Sequence, residues 1–134
     1  MRTRIALSLL VLCGVSCASA RHGHTFRGAR CEVTVPESWS PEMARIIALV
    51  CDPIVPQVAE ILSVPVVQDV RVEVRATRLL DDKGTYGQAF TGPVSRIVLG
   101  AVCLERWNWL EMGLAHELAH LHMSGPRWDR LPYV

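Results

Sequence analysis

The strongest constraint on the fold is an apolar stripe near the end of the 134-residue chain, with the spacing of an amphipathic helix. At about 100° per residue, one face of that helix carries Trp107, Leu110, Leu114, Leu118 and Leu121. Three polar residues, His116, Glu117 and His120, lie within the same segment. The two histidines are one helical turn apart, roughly opposite the stripe, so both imidazoles can reach one ion. We therefore predict a helix that packs by one face and holds a metal site on the other.

The polar residues have the order His-Glu-x-x-His, which is a zinc-binding motif. Glu117 projects beside the histidines, where a carboxylate can contact a metal-bound water without ligating the metal. Gly113 lies on the histidine side and leaves space above the site. The alternative is a surface helix with two ordinary histidines and a solvated glutamate, which would place polar side chains around the motif. The apolar neighbours favour the metal site; they are Leu114, Ala115, Leu118, Ala119 and Leu121.

The first 20 residues have the organisation of an export signal. Arg2 and Arg4 precede an apolar stretch over residues 5–15, and a small-x-small site ends at Ala20. We predict cleavage after Ala20, which makes the protein secreted or periplasmic, with no membrane span after cleavage. A lipid-modified Cys17 is an alternative.

We expect the rest of the chain to comprise a flexible lead over residues 21–30 and one domain over residues 31–134. A formal charge of +1 gives no electrostatic basis for a nucleic-acid partner. Three cysteines remain after cleavage, and in an oxidising compartment one pair is expected. A Cys31–Cys51 disulfide is favoured, because it joins a predicted strand to a predicted helix, and it leaves Cys103 free and buried.

Sequence patterns along this domain predict an α+β fold with a small sheet packed on helices. Residues 31–35 and 69–75 alternate as strands, with Val70, Val72 and Val74 facing inward. Pro53 divides two helices over residues 41–51 and 54–62, and the second packs Val55, Val58, Ile61 and Leu62. Residues 86–90 and 96–99 form a hairpin before the motif helix, which starts within residues 102–106 and ends at Met123. Asp81 and Asp82 fit a solvated turn better than a metal site.

Three segments together resemble a zincin, specifically the peptidase MA-like group of gluzincin-type metallopeptidases. Residues 115–121 match that family's helix motif. Residues 87–89 and 96–99 resemble the strand pair before it, and residues 131–134 resemble the start of a Leu-Pro-x-Trp-Leu-x-Glu-Gly segment. The resemblance implies a zincin-like N-terminal subdomain with a hairpin edge and a long motif helix. In zincins, the last strand of the pair is the edge that aligns an extended substrate.

Carried onto this chain, the resemblance implies an exported metallopeptidase that hydrolyses peptide bonds in peptide or protein substrates. His116 and His120 become Zn²⁺ ligands and Glu117 the general base. A catalytic zinc needs three protein ligands, and the family's third, a glutamate after the Leu-Pro element, falls beyond Val134. Asp129, nine residues after His120, is a weak candidate. The alternative is a loop carboxylate paired with a neighbouring arginine.

The missing third ligand leaves three further hypotheses. The first is that the sequence is an incomplete metallopeptidase domain, and the second is an exported zincin-like binding module without hydrolytic activity. The third is a structural helix that uses the motif only for packing. His122, two residues after His120, points away from the site in every case.

Overall fold

A computed structural model of the protein describes residues 22–123. The elements are β1 (His24–Arg27), β2 (Cys31–Val35), α1 (Pro41–Leu62), β3 (Val70–Val74), β4 (Gly87–Phe90), β5 (Arg96–Leu99), a 3-10 helix (Ala101–Leu104) and α2 (Trp107–Met123). The predicted export signal, with Cys17 and the cleavage site after Ala20, lies outside the described residues. So do Asp129 and the segment that resembles the Leu-Pro element.

The five strands form one mixed sheet in the order β1-β2-β3-β5-β4. The three central strands are parallel, with Val33, Val72 and Ile97 in register, whereas β1 and β4 pair antiparallel at the two edges. The α+β prediction and the hairpin at the sheet edge are therefore confirmed.

The order of the two hairpin strands differs from the expectation. The last strand, β5, lies inside the sheet between β3 and β4, and β4 forms the edge. The reason is burial: Ile97, Val98 and Leu99 are all buried, as in strands with neighbours on both sides, whereas β4 alternates between half-buried and exposed residues. The prediction that the last strand is the edge was wrong.

Helix α1 runs without interruption through Pro53 and Pro56, so the predicted division at Pro53 was wrong. Its buried face is continuous across both prolines and consists of Ala44, Ile47, Ala48, Cys51, Val55, Val58 and Ala59. Pro53 itself is exposed, so the carbonyl that loses its hydrogen bond is near water. Ile61, predicted to pack, is 80% exposed. Although α1 has 22 residues, no helix within residues 22–123 is long and apolar enough to cross a membrane.

The segment expected to be a flexible lead contributes a strand instead. Residues His24–Arg27 form β1, which pairs with β2 in a four-residue register from His24↔Val35 to Arg27↔Glu32. The hydroxyl groups of Thr25 and Thr34 also form a hydrogen bond across the pair, at 2.9 Å. The sequence is polar because β1 is an edge strand with only half-buried and exposed positions.

Two adjacent residues of α1 attach it to the turn between β1 and β2. Cys51 forms the predicted disulfide with Cys31, with Cα atoms 6.2 Å apart. The Asp52 carboxylate accepts hydrogen bonds from the backbone N–H groups of Ala29, Arg30 and Cys31 at 2.7–2.9 Å. Together they fix the start of β2 against α1.

Candidate metal centre

The motif lies in α2, and the helix packs by the predicted stripe. Leu110, Leu114, Leu118 and Leu121 are buried. Trp107, the first residue of the helix, is 57% exposed, so its predicted place in the core was wrong. Residues 105–108, which include Trp107, are all exposed. The 3-10 helix occupies most of the predicted starting range, so α2 begins slightly later than expected.

The two motif histidines converge at the surface of α2. Their Nε2 atoms are 3.1 Å apart, and the ring centroids lie 4.7 Å from each other in an edge-to-face arrangement. Two nitrogens bound to one tetrahedral zinc at 2.0–2.1 Å would be roughly 3.3 Å apart. Both residues are exposed, so an ion can reach them from solvent. The pair fits two ligands of one Zn²⁺.

Glu117 occupies a different environment from the histidines. It is only 3% exposed and faces Gly87 of β4, where a Cβ atom would lie 2.6 Å from its Oε1. Burial raises the pKa of the Glu117 carboxyl, and the neighbouring His116 and His120 partly offset that rise. The glycine therefore makes room for a sheltered carboxyl beside two imidazoles.

A cleft of about 460 Å³ lies between α2 and the edge strand β4. His116, Glu117 and His120 line one side. The other side is formed by the residues from Lys83 to Ala89, which include most of β4. The three predicted site residues therefore share one cleft with the edge of the sheet.

A second, mostly apolar cavity of about 370 Å³ adjoins the cleft. Its own walls are Leu79, Val102, Cys103, Trp109, Met112 and Gly113. Gly84, Tyr86 and His116 line both spaces. The ring of Tyr86 lies 5.9 Å from that of His116, between centroids. We call this space the apolar cavity.

Cys103 is the free, buried cysteine of the described residues, as predicted. Its Sγ donates a weak hydrogen bond to the Tyr86 carbonyl at 3.7 Å. Burial, and then the nearby Glu117, raise the pKa of the thiol to about 11. Burial and Glu117 also raise the pKa of Tyr86.

Other polar residues considered in the sequence have structural roles. His122 is buried: its Nδ1 donates to the Leu118 carbonyl at 2.8 Å, and its Nε2 accepts from the Val67 N–H at 3.2 Å. Asp81 accepts from the backbone of Lys83 and Thr85 and from the Thr85 hydroxyl in an exposed turn. These hydrogen bonds lower the pKa of the Asp81 carboxyl, and the bond from the Thr85 hydroxyl has the largest effect. Neither residue joins the histidine pair.

Two residues of the site were missed in the sequence. Gly87 had a usable signal, because a glycine inside a strand often marks a close approach by another group. Tyr86 had none, since its contact with His116 depends on how the hairpin docks on α2. Within residues 22–123, no group of three or more His, Cys, Asp or Glu side chains is placed to hold a metal ion.

Comparisons with protein-family models, curated proteins and solved structures found no match.

Proposed function

We propose that this protein is an exported, zinc-dependent peptidase of the zincin type, with α2 as its metal-binding helix. The observation that carries the proposal is the His116–His120 pair, with Nε2 atoms 3.1 Å apart beside the buried Glu117. A surface helix with unrelated polar residues has no reason to bury the carboxylate and expose both imidazoles toward the same cleft.

The chain's own residues divide the chemistry. His116 and His120 hold the ion through Nε2. When bound, zinc supplies a water of lowered pKa and polarises the peptide carbonyl. Glu117 accepts the proton of the attacking water and passes it to the leaving amine. Burial favours this role, because a carboxylate with a raised pKa is a stronger base and its conjugate acid is still able to donate.

Strand β4 is suited to hold an extended peptide across the cleft. The Gly100 N–H donates to the Tyr86 carbonyl, so Tyr86 and Gly100 are opposite each other in a hydrogen-bonded pair that continues the pairing of β4 with β5. The alternation of an antiparallel pair then directs the main-chain groups of Gly87 and Ala89 toward the free edge. A substrate that adds a strand there would place its main chain next to the histidines.

The proposal requires a third protein ligand from outside the described residues, since three are needed for a catalytic zinc. Asp129 remains a candidate, and so does a carboxylate beyond Val134 or on a partner chain.

The test is zinc content and peptide hydrolysis of the naturally produced protein. We expect one zinc per chain by native mass spectrometry, and hydrolysis that a chelator abolishes and added zinc restores. His116→Ala and His120→Ala should lose the metal. Glu117→Gln should keep it and lose hydrolysis by about 10²–10⁴-fold, the usual contribution of a general base.

Matched controls separate these effects from general damage. Glu111→Gln makes the same change at an exposed position of the same helix, and His22→Ala removes an exposed histidine far along the chain. Both should keep zinc and activity. Zinc binding that survives in both His116→Ala and His120→Ala would overturn the proposal.

A second candidate is an exported zinc-binding module without hydrolysis. It is favoured by one observation, that residues 22–123 supply two clustered histidine ligands and no third residue. Zinc bound equally by wild type and Glu117→Gln, with no hydrolysis by either, would support this candidate over the peptidase.

A further inference from the structure

We propose that residues 124–134, which follow α2, fold back and bind in a groove between α1 and α2. The groove has a volume of about 540 Å³. We call it the α1–α2 groove, and its lining includes Leu49, Pro53 and Ile61 of α1 with Trp107, Met112 and Ala115 of α2. The inference is separate from the proposed function, because it requires neither zinc nor hydrolysis.

The first argument is that the α1–α2 groove exposes a cluster of apolar side chains. Eight large hydrophobic residues are exposed within residues 22–123, and four of these line the groove. The four are between 54% and 80% exposed, and they are Leu49, Ile61, Trp107 and Met112. Single exposed apolar residues are normal, but a contiguous patch marks a binding surface. The clustering therefore indicates that another group covers this groove.

The second argument is that α2 leads from the groove to the start of residues 124–134. Five residues at four-residue intervals follow one another along its surface, namely Trp107, Glu111, Ala115, Ala119 and Met123. The first three line the groove. Ala119 is half-buried and its methyl group is too small to block a passing chain, and Met123 is the last residue of the helix. Gly125 comes next but one, and a glycine after a helix allows the chain to reverse its direction.

The third argument is reach. Ala115 is about 12 Å along the helix from Met123, and Trp107 is about 24 Å from it, at 1.5 Å per residue. An extended chain covers about 3.3 Å per residue, so Trp128 can reach the end of the groove at Ala115. By the same measure, residues 131–134 can reach the end at Trp107.

The fourth argument is the chemistry of the two surfaces. Residues 124–134 contain four large apolar side chains, which are Trp128, Leu131, Tyr133 and Val134. Arg127 and Arg130 outnumber Asp129, so the charged side chains of the segment are net positive. The groove is lined by Glu111, and within residues 22–123 no basic residue lines it. Apolar side chains can therefore bind the apolar surface while an arginine lies near the acidic residue.

The segment binds its own groove rather than that of a second copy, because it is tethered. A short flexible connection to Met123 gives the segment an effective concentration on the order of millimolar at the groove. A second copy at a lower concentration competes poorly with it.

The first part of the test measures proximity in the ¹⁵N-labelled full chain, with a chelator present. A nitroxide is attached at Glu60→Cys, next to Ile61 of the groove, or at Arg71→Cys, on the sheet face opposite the helices. The native Cys103 thiol is buried and should not react. We expect the label at position 60 to abolish the amide signals of residues 128–131, and the label at position 71 to leave them unchanged. Equal effects of the two labels would overturn the inference.

A mixing experiment distinguishes the chain's own groove from that of a second copy. ¹⁵N-labelled protein without a nitroxide is mixed with an equal amount of spin-labelled Glu60→Cys protein that lacks ¹⁵N. The amide signals of residues 128–131 should keep their full intensity. Signal loss in this mixture equal to that in the singly labelled chain would mean that the segment binds a second copy, which contradicts the proposal.

The second part of the test changes each surface in the Glu60→Cys background. Leu49→Lys with Trp107→Lys puts two positive charges on the groove at positions that are already exposed. Thr91→Lys with Val94→Lys adds the same charges to the exposed β4–β5 turn as a control. The groove variant should restore the signals of residues 128–131, and the control should not.

Trp128→Ser tests the same contact from the side of the segment and leaves both helices unaltered. It should also restore these signals, so the proposal stays testable if the groove variant does not fold. Signals that stay lost in Trp128→Ser and in a folded groove variant would overturn the inference. An active zinc enzyme whose segment is unaffected by the label at position 60 overturns this inference alone. A bound segment in a protein with neither zinc nor hydrolysis overturns the proposed function alone.

Discussion

Gly87 and Glu117 fit together across the boundary between the sheet and the motif helix. A Cβ at Gly87 would lie 2.6 Å from the Glu117 Oε1 and 3.0 Å from its Cδ and Cγ. Glu117 can therefore lie against the strand only because the residue opposite has no side chain. The position of the proposed general base depends on the sheet as well as on its own helix.

Gly87→Ala should move the Glu117 carboxylate without unfolding the protein. The side chain is flexible and can turn away, so the free energy of unfolding should change by less than about 1 kcal/mol. Peptide hydrolysis should fall by about 10²-fold, because a displacement of about 1 Å is enough to lose that much. Urea denaturation tests the change in stability and kcat/KM tests the loss of hydrolysis, while zinc content should stay unchanged because neither histidine is altered.

Gly92→Ala is the matched control for that experiment. It makes the same change in the β4–β5 turn, where a Cβ meets no atom within 4 Å. Activity should be unchanged. Equal activity of Gly87→Ala and wild type would show that the contact does not position Glu117.

His122→Phe should separate the structural histidine from the two proposed ligands. It removes the acceptor of the half-buried Val67 N–H, and the loss of this hydrogen bond should lower the free energy of unfolding by about 1 kcal/mol. Zinc stoichiometry should not change. His120→Ala should give the reverse pattern in native mass spectrometry and urea denaturation, with zinc lost and stability nearly unchanged. Zinc loss from His122→Phe with the fold intact would contradict this assignment.

Pro53→Ala should stabilise the protein. Alanine restores the N–H that can donate to the Leu49 carbonyl one turn earlier, and proline inside a helix is about 3 kcal/mol less favourable than alanine. The greater freedom of the unfolded chain opposes part of this gain. We expect about 1–2 kcal/mol by urea denaturation. Pro41→Ala, at the first helical position, should change stability by less than about 0.5 kcal/mol.

Cys103 should be unreactive at pH 8 while the protein is folded. Its pKa of about 11 leaves roughly one thiol in a thousand ionised, against about one in four for an unfolded pKa near 8.5. Iodoacetamide labelling followed by mass spectrometry should therefore be at least 10²-fold slower than in urea.

The same shift gives a dependence of stability on pH. The folded pKa lies above the unfolded one, so the native state holds the proton more tightly, and stability falls as pH rises from about 8.5 to about 11. Cys103→Ala should lack this part of the decline. Identical pH profiles for wild type and variant would contradict the shift.

Much of the fold follows from local patterns. The alternation in β3, the hairpin of β4 and β5, and the apolar stripe of α2 are short-range signals with distinct periods, and each predicted its element. The Cys31–Cys51 pair also followed from the predicted elements.

Two of the errors have a common cause, which is that tertiary contacts overrode a local signal. Pro53 marks a helix break in isolation, but a continuous buried face holds α1 together. The polar β1 segment resembles a loose lead, but β2 supplies its hydrogen bonds.

The candidate site, like the fold, could be predicted only where local spacing decides it. His116 and His120 are brought together by helical spacing alone, so the sequence was sufficient. The burial of Glu117, the contact of Tyr86 with His116 and the apolar cavity depend on how the hairpin packs on α2, and sequence spacing carries no information about that distance. The place of β4 at the sheet edge was likewise decided by burial of β5.

The carboxylate of Asp52 holds the same junction that the Cys31–Cys51 bond closes, through three backbone hydrogen bonds. The first hairpin is thus attached to α1 twice, covalently at Cys51 and through hydrogen bonds at the adjacent Asp52. We therefore expect that a chain whose thiols are reduced would keep this junction through the Asp52 hydrogen bonds alone, with the two sulfurs near each other.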